Sequence, residues 1–291
     1  MLYTLKNDLL TVTLSDLGAE ITSVRKNGTD CEYIWQGNPT YWSGRAPLLF
    51  PICGRLTEGR YTYEGKSYEM NIHGFARRSV FTAEETSDCY ARFVLRPNGE
   101  MKKAYPFDFC LTVEYTLEGD RLSSSVTVAN TGDTVMPATL GLHPGFNVPL
   151  DSGSFEDWRL EFADTCSPDK LILSDTCYLT GRKEAFPLED GKRLPLRHSL
   201  FDNDAIFLSR PGEEISLRSD KSDRSVTFRF PGFPYLGFWH APKSDAPYVC
   251  IEPWMGLPAY DGEVDDFGRK CDMMRLVPND EKIFCYSLCF R

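Results

Sequence analysis

The feature that most limits how this chain can fold is a recurring two-residue rhythm, in which apolar and polar side chains alternate over short runs closed by turn signals. Leu10, Val12 and Leu14 fall on one side of an extended segment, with Leu9, Thr11 and Thr13 on the other. The same alternation returns from Phe109 to Leu117, from Leu122 to Val128 and from Val226 to Phe230. Successive side chains of a strand point to opposite faces, so these runs are predicted strands. Between the runs stand Asn27-Gly28, Glu64-Gly65, Asn98-Gly99, Glu118-Gly119-Asp120 and Thr131-Gly132-Asp133. Such residues accept the left-handed backbone of tight turns and favour hairpins over βαβ crossovers. The segment from Tyr61 to Tyr68, with Glu64-Gly65 at its middle, is predicted to be one hairpin with aromatic rings on both arms. No long amphipathic helix interrupts the series.

A hydrophobic content of 42% and a charged content of 25% place the chain among globular proteins and exclude a disordered or fibrous one. Its 291 residues admit two domains, but all-β sandwiches reach this size as one unit. No Pro/Gly/Ser-rich linker, low-complexity tract or repeat divides the sequence. The expectation is an all-β fold: a single large antiparallel β-sandwich spanning residues 1–291.

The net charge of -10 arises from 42 acidic and 32 basic residues spread along the chain. Without a basic run to track phosphates, nucleic acid is not an expected partner. The first residues reach Lys6 and Asp8 too soon for a signal-peptide core of about 7–15 apolar residues. No apolar stretch of about 18 residues follows, so a cytoplasmic protein without a membrane partner is expected. Ten cysteines are dilute in a chain of this length, and no Cys-x-x-Cys pair occurs. Reduced thiols are expected. Cys285 and Cys289 lie four apart in an apolar run with no histidine nearby, and read as buried small hydrophobes, not as zinc ligands.

Four histidines occur, and two sit where an apolar segment meets a Gly or Pro: Ile72-His73-Gly74-Phe75 and Leu142-His143-Pro144-Gly145. Strand-to-loop junctions are favoured mounts for functional groups, although a core or turn histidine is an equal alternative for either alone. Glu252 stands within Tyr248-Val249-Cys250-Ile251-Glu252-Pro253-Trp254. A carboxylate amid apolar residues is costly unless it is hydrogen-bonded, paired or working as an acid or base. Arg55, after Pro51-Ile52-Cys53-Gly54, offers a forked donor to sugar hydroxyls or a salt bridge. Asp204, in Phe201-Asp202-Asn203-Asp204-Ala205, either accepts from hydroxyls or caps a turn. Phe238, Trp239 and Trp254 can face a sugar ring or be core. His240, beside Trp239, and His198 read as structural or exposed.

Taken in order, these segments resemble the galactose mutarotase-like superfamily and, within it, the LacX-like aldose 1-epimerases. The likeness covers nearly the whole chain: Leu17-Gly18-Ala19-Glu20, Trp35-Gln36-Gly37-Asn38-Pro39 with Tyr41-Trp42, Leu49-Phe50-Pro51-Ile52-Cys53-Gly54-Arg55, His73-Gly74-Phe75-Ala76-Arg77, Tyr105-Pro106-Phe107, Gly141-Leu142-His143-Pro144-Gly145-Phe146 and Ile251-Glu252-Pro253-Trp254. Each is weak alone; their order is specific.

The resemblance implies a β-supersandwich whose open face holds a sugar ring between Glu252 as general base and His143 as general acid. It implies that His73 binds hydroxyls and helps hold developing charge, and that Arg55 and Asp204 grip the ring, with Asp202, two residues away on the same side of an extended strand, as the alternative to Asp204. Trp239 is a further candidate contact. His73-Gly74-Phe75-Ala76-Arg77 also resembles the hexose-6-phosphate 1-epimerase motif, which makes Arg77 and Arg45 candidate phosphate ligands; the same two arginines can equally serve internal carboxylates. Acid and base suffice for anomer interconversion, so no metal or redox cofactor is expected. A free aldose is the first choice of substrate and a sugar phosphate the second. A noncatalytic sugar-binding protein would need no proton pair, and a lyase or hydrolase would recruit a second carboxylate such as Asp204. Monomer and homodimer remain equally open.

Overall fold

A computed structural model describes all 291 residues. Two large antiparallel sheets dominate. The nine-stranded sheet is centred on Glu281–Phe290, Arg121–Asn130 and Phe109–Glu118, with Tyr90–Leu95 and Thr82–Thr86 at one edge and Trp158–Phe162 and Arg193–Pro195 at the other. The eight-stranded sheet runs from Leu179–Ala185 through Asp169–Leu173, Ile206–Ser209, Tyr235–Trp239 and Tyr248–Trp254 to Gly141–Leu142 and Leu48–Leu49; Gly145–Asn147 also pairs with Tyr248–Trp254. A three-stranded sheet of Leu2–Lys6, Leu10–Ser15 and Glu20–Lys26 precedes them. The only α-helix is the six-residue Gly99–Ala104, capped by the Asn98 side chain accepting from Met101 N–H.

The alternating runs of the sequence are strands. Leu122, Val126 and Val128 on Arg121–Asn130 point inward while Ser123, Ser125 and Thr127 face outward. Tyr61 pairs with Tyr68 across the Glu64-Gly65 turn, with ring centroids 5.3 Å apart. The two sheets meet through ring contacts such as Phe162 against Phe238 at 6.4 Å and Phe146 against Phe228 at 6.3 Å. One buried cluster draws members from Leu5 to Phe290, so the first and last strands share a core with both sheets.

Cys285 and Cys289 depart from expectation. On Glu281–Phe290 the even positions Phe284, Tyr286, Leu288 and Phe290 take the core, and this puts both cysteines on the outer face. Cys285 is exposed, and the half-buried Cys289 donates its thiol to Asp120 at 3.3 Å.

The same period-two rule builds the platform for the site. Along Tyr248–Trp254, Val249 and Ile251 enter the main core, whereas Cys250, Glu252 and Trp254 lie on the opposite face. Leu236 and Phe238 on Tyr235–Trp239, and Ile206 and Leu208 on Ile206–Ser209, likewise point into the main core. Gly237, Trp239 and Phe207 are left on the face that carries Glu252. Gly237 pairs directly with Glu252, and a Cβ there would lie 3.2 Å from the Glu252 Cβ and 2.7 Å from the Phe207 ring. A glycine at this register position leaves room for the carboxylate.

Candidate active site

That face of the eight-stranded sheet forms the floor of a cavity of about 260 Å³, just below the usual range of about 300–1,000 Å³ for ligand sites. Glu252, His143, His73, Arg55, Asp204, Arg77 and Trp239 all line it. Residues separated by as many as 197 positions in the chain are thus gathered at one place, as Arg55 and Glu252 show.

Glu252 and His143 are in direct contact, Oε2 to Nε2 at 3.3 Å. Glu252 is 1% exposed and His143 8%. Burial pushes the Glu252 carboxyl well above the usual carboxylate range, and the negative charge of Asp204 adds to the rise. Burial drives His143 down to about 3, with Arg77 contributing a further lowering. Both groups therefore favour their neutral forms, and the close approach is that of a carboxylic acid and an imidazole rather than an ion pair. Glu252 Oε1 and His143 Nδ1 are buried and have no hydrogen-bond partner, an unusual cost unless a ligand completes them.

His73 stands edge-on to both His143 and Trp254, at 5.7 and 5.5 Å. Its Nδ1 accepts from the Gly54 backbone N–H at 3.1 Å. This fixes the neutral tautomer with the proton on Nε2, and burial together with the nearby His143, Arg77 and Arg55 holds the ring far below its ordinary pKa. His73 is thus a neutral donor. Its backbone lies in the left-handed region at φ 65°, followed by Gly74 at φ 68°, a local strain of the kind retained at functional sites. Gly74 is indispensable to this turn, because a Cβ there would sit 2.2 Å from the Phe50 carbonyl oxygen.

Asp204 is held at both oxygens: Trp239 Nε1 donates to Oδ1 at 2.7 Å, and the Cys177 thiol donates to Oδ2 at 2.8 Å. Asp202 and Asp204 do not share the extended strand expected of them. Asp202 ends the short 3-10 turn His198–Phe201, Asp204 adopts φ 72°, and the strand begins only at Ile206. Asp202 is exposed, while Asp204 lines the cavity.

Arg55 donates to the Thr176 carbonyl at 3.1 Å and Arg77 to the Ile72 carbonyl at 3.2 Å. Arg45 is not on the cavity wall; its guanidinium packs against Gly37, and its backbone N–H donates to Glu20 Oε1 at 3.2 Å. The charges of Arg45 and Arg77 both act on the largely buried Glu20 carboxyl, which itself accepts from the Arg45 and Ala46 backbone N–H groups.

Among the aromatic candidates, Trp239 and Trp254 line the cavity and Phe238 is core. Trp42, which belongs to one of the sequence motifs but has no role assigned by it, lies stacked on His143 at 5.0 Å between centroids. Cys177 also lines the cavity, and no local sequence signal marks it. His198 and His240 lie outside the cavity lining and hydrogen-bond each other at 3.1 Å. As to metals, His143, Cys250 and Glu252 bring one possible ligand atom each within 4.8 Å of one another. Burial holds the Cys250 thiol well above its ordinary pKa, which disfavours the thiolate that such a site would require.

The large antiparallel sheets match the galactose mutarotase-like β-sandwich. The chain belongs to the aldose 1-epimerase family, whose model matches residues 1–263, and that membership supports a carbohydrate epimerase. It is 36% identical over 298 residues to the chromosomal LacX protein of Lactococcus lactis subsp. lactis, covering 99% of each chain. A galactose mutarotase related enzyme from Lactobacillus acidophilus superposes with a TM-score of 0.94 at 36% identity, over 100% of this chain and 97% of that one. A galactose mutarotase-like protein from Lactobacillus casei gives a TM-score of 0.95 at 32% identity, over 100% of both.

Proposed function

We propose that this protein is an aldose 1-epimerase that interconverts the α and β anomers of a free hexose, with Glu252 and His143 moving the protons. The observation that carries this reading is their 3.3 Å contact, buried at the floor of a cavity sized for one sugar ring. Ring opening needs a base for the C1 hydroxyl proton and an acid for the ring oxygen. In this assignment Glu252 faces the C1 hydroxyl and His143 the ring oxygen.

The resting pair holds its proton on Glu252. Transfer across the contact gives the carboxylate and imidazolium; the carboxylate then takes the C1 hydroxyl proton as the imidazolium protonates the ring oxygen and the C1–O5 bond breaks. Rotation about C1–C2 presents the other carbonyl face, and the same two groups reverse their roles to close the ring. His73 Nε2–H supplies a neutral donor to a sugar hydroxyl, Asp204 and Arg55 grip the ring, and Trp239 and Trp254 offer apolar faces to its C–H side.

A free hexose is favoured over a sugar phosphate because Arg45 stands off the wall, so of the two candidate phosphate ligands only Arg77 lines the cavity. The test is polarimetry, with NMR of the anomeric proton, on freshly dissolved α-galactose, α-glucose and their 6-phosphates. Wild type accelerates equilibration of at least one free hexose, and Glu252→Gln and His143→Asn each lose about 10²–10⁴-fold while remaining folded. Variants as fast as wild type refute the pair; sugar binding without acceleration makes the protein a noncatalytic binder.

A further inference from the structure

We propose that Cys177 is a positioning residue for sugar binding: its thiol and the Trp239 indole grip Asp204 from two sides and aim that carboxylate's remaining lone pairs into the cavity. This rests on the epimerase reading above and adds to it a residue that touches the sugar only through Asp204.

The geometry is specific. The thiol donates to Oδ2 at 2.8 Å and the indole to Oδ1 at 2.7 Å, so each oxygen has one donor and keeps further acceptor capacity for hydroxyls. Cys177 and Asp204 both line the cavity. Each sits at a left-handed backbone position, φ 63° and 72°, and each closes a tight turn, Cys177 N–H donating to Ser174 O at 2.8 Å and Asp204 N–H to Phe201 O at 3.0 Å. Two strained turns from separate parts of the chain are therefore held tip to tip by the thiol–carboxylate contact. Glu252 lines the same cavity and has a buried Oε1 without a partner, an unpaired acceptor beside a space already bounded by Asp204.

The thiol serves as a donor and not as a nucleophile. Burial and the adjacent Asp204 push it up to about 11, so it keeps its proton at neutral pH and always has a hydrogen to give. Serine preserves a donor at this position and alanine removes it. An Asp204 held only by the indole is free to swing about χ1 and χ2, and ordering it again on sugar binding weakens affinity without touching the proton pair.

The experiment compares wild type with Cys177→Ala, Cys177→Ser, Asp204→Asn and the double variant Cys177→Ala/Asp204→Asn. Two readouts are used: KM and kcat for anomerisation of the preferred hexose, and Kd for 1,5-anhydrogalactitol or 1,5-anhydroglucitol by tryptophan fluorescence. The anhydrohexitols keep the ring and cannot open. Cys177→Ala is expected to raise KM and Kd about five- to tenfold, as suits the indirect loss of one ordinary hydrogen bond, with kcat changed less than about twofold. Cys177→Ser recovers most of the loss. In the Asp204→Asn background the alanine change adds little, because the two residues act as one unit. Wild-type KM and Kd in Cys177→Ala, or the same factor with and without Asp204, overturns the proposal. A wild type that binds anhydrohexitol without accelerating anomerisation refutes the epimerase reading and leaves the positioning role to be judged by Kd; no binding at all overturns both.

Discussion

The uncharged state of the Glu252–His143 contact has a thermodynamic consequence that acid titration reads directly. In the folded protein burial drives His143 down from its ordinary 6.5 to about 3. Between those two values the unfolded chain binds a proton that the folded chain refuses. Stability from this group is therefore fully present above 6.5 and is lost as pH falls through that window. One pKa unit corresponds to about 1.4 kcal/mol, and pH 5 lies about 1.5 units below the unfolded value, so His143 alone removes about 2 kcal/mol between pH 7 and pH 5. Because pH 5 is still well above the folded value, that figure is set by the unfolded histidine. His73 and His240 are also depressed by burial, His240 to about 4, and they lose stability in the same direction. The assay is therefore a difference: urea unfolding of wild type and His143→Asn at pH 7 and pH 5. Wild type is expected to lose about 2 kcal/mol more than the variant, roughly twofold less if denatured-state structure shelters the histidine. Equal losses in the two proteins would refute the neutral pair, since they require that His143 already carries its proton in the folded state, as an imidazolium facing a Glu252 carboxylate.

Two further outcomes test the scaffold around the site. Gly74→Ala adds a Cβ 2.2 Å from the Phe50 carbonyl at φ 68°, and is expected to cost about 3 kcal/mol or more from backbone collision and left-handed strain; an unchanged thermal midpoint would contradict so close an approach of the His73-Gly74 turn to Phe50. Lys270 is 6% exposed, with its ammonium 3.4 Å from Asp265 and 3.2 Å from Asp272, and it donates to the carbonyl of Pro258, a residue that lines the cavity. Lys270→Met leaves two nearly buried carboxylates without their cation and is expected to destabilise by about 3–5 kcal/mol; a variant as stable as wild type at pH 7 would show that the cluster is solvated in solution.

The strands and the catalytic candidates are legible in the sequence for the same reason. A period of two is imposed by strand geometry at every position, so alternating runs such as Leu122 to Val128 announce their faces locally, and Glu252 stands out because a carboxylate occupies the apolar stretch Tyr248–Trp254. The histidines are legible through the turns that mount them. What the residues do not disclose is the meeting of separate turns. Asp204 reads as a strand residue because a left-handed turn at a non-glycine leaves no strong local mark, and Cys177 carries no mark at all, since its role exists only where Asp204 is brought to it. Arg45 shows the converse, a residue type suited to phosphate whose guanidinium the fold directs against Gly37 and the field of Glu20.

The protonation of the proposed catalytic pair belongs to this second kind of information. Nothing about a histidine before a proline, or a glutamate after an isoleucine, states whether the two will be charged. That depends on how completely the eight-stranded sheet and the turns at His73 and His143 exclude water, because desolvation is the leading cause of the shift in both groups. An exposed pair of the same residues at the same separation would settle as carboxylate and imidazolium, and its contact would stabilise the fold modestly. Buried, the pair stabilises the fold less and keeps one proton between two groups of altered affinity, which is the property the proposed anomer exchange would require of it. The residues proposed to carry the chemistry are thus readable from sequence, whereas the proton they would exchange is placed by the core.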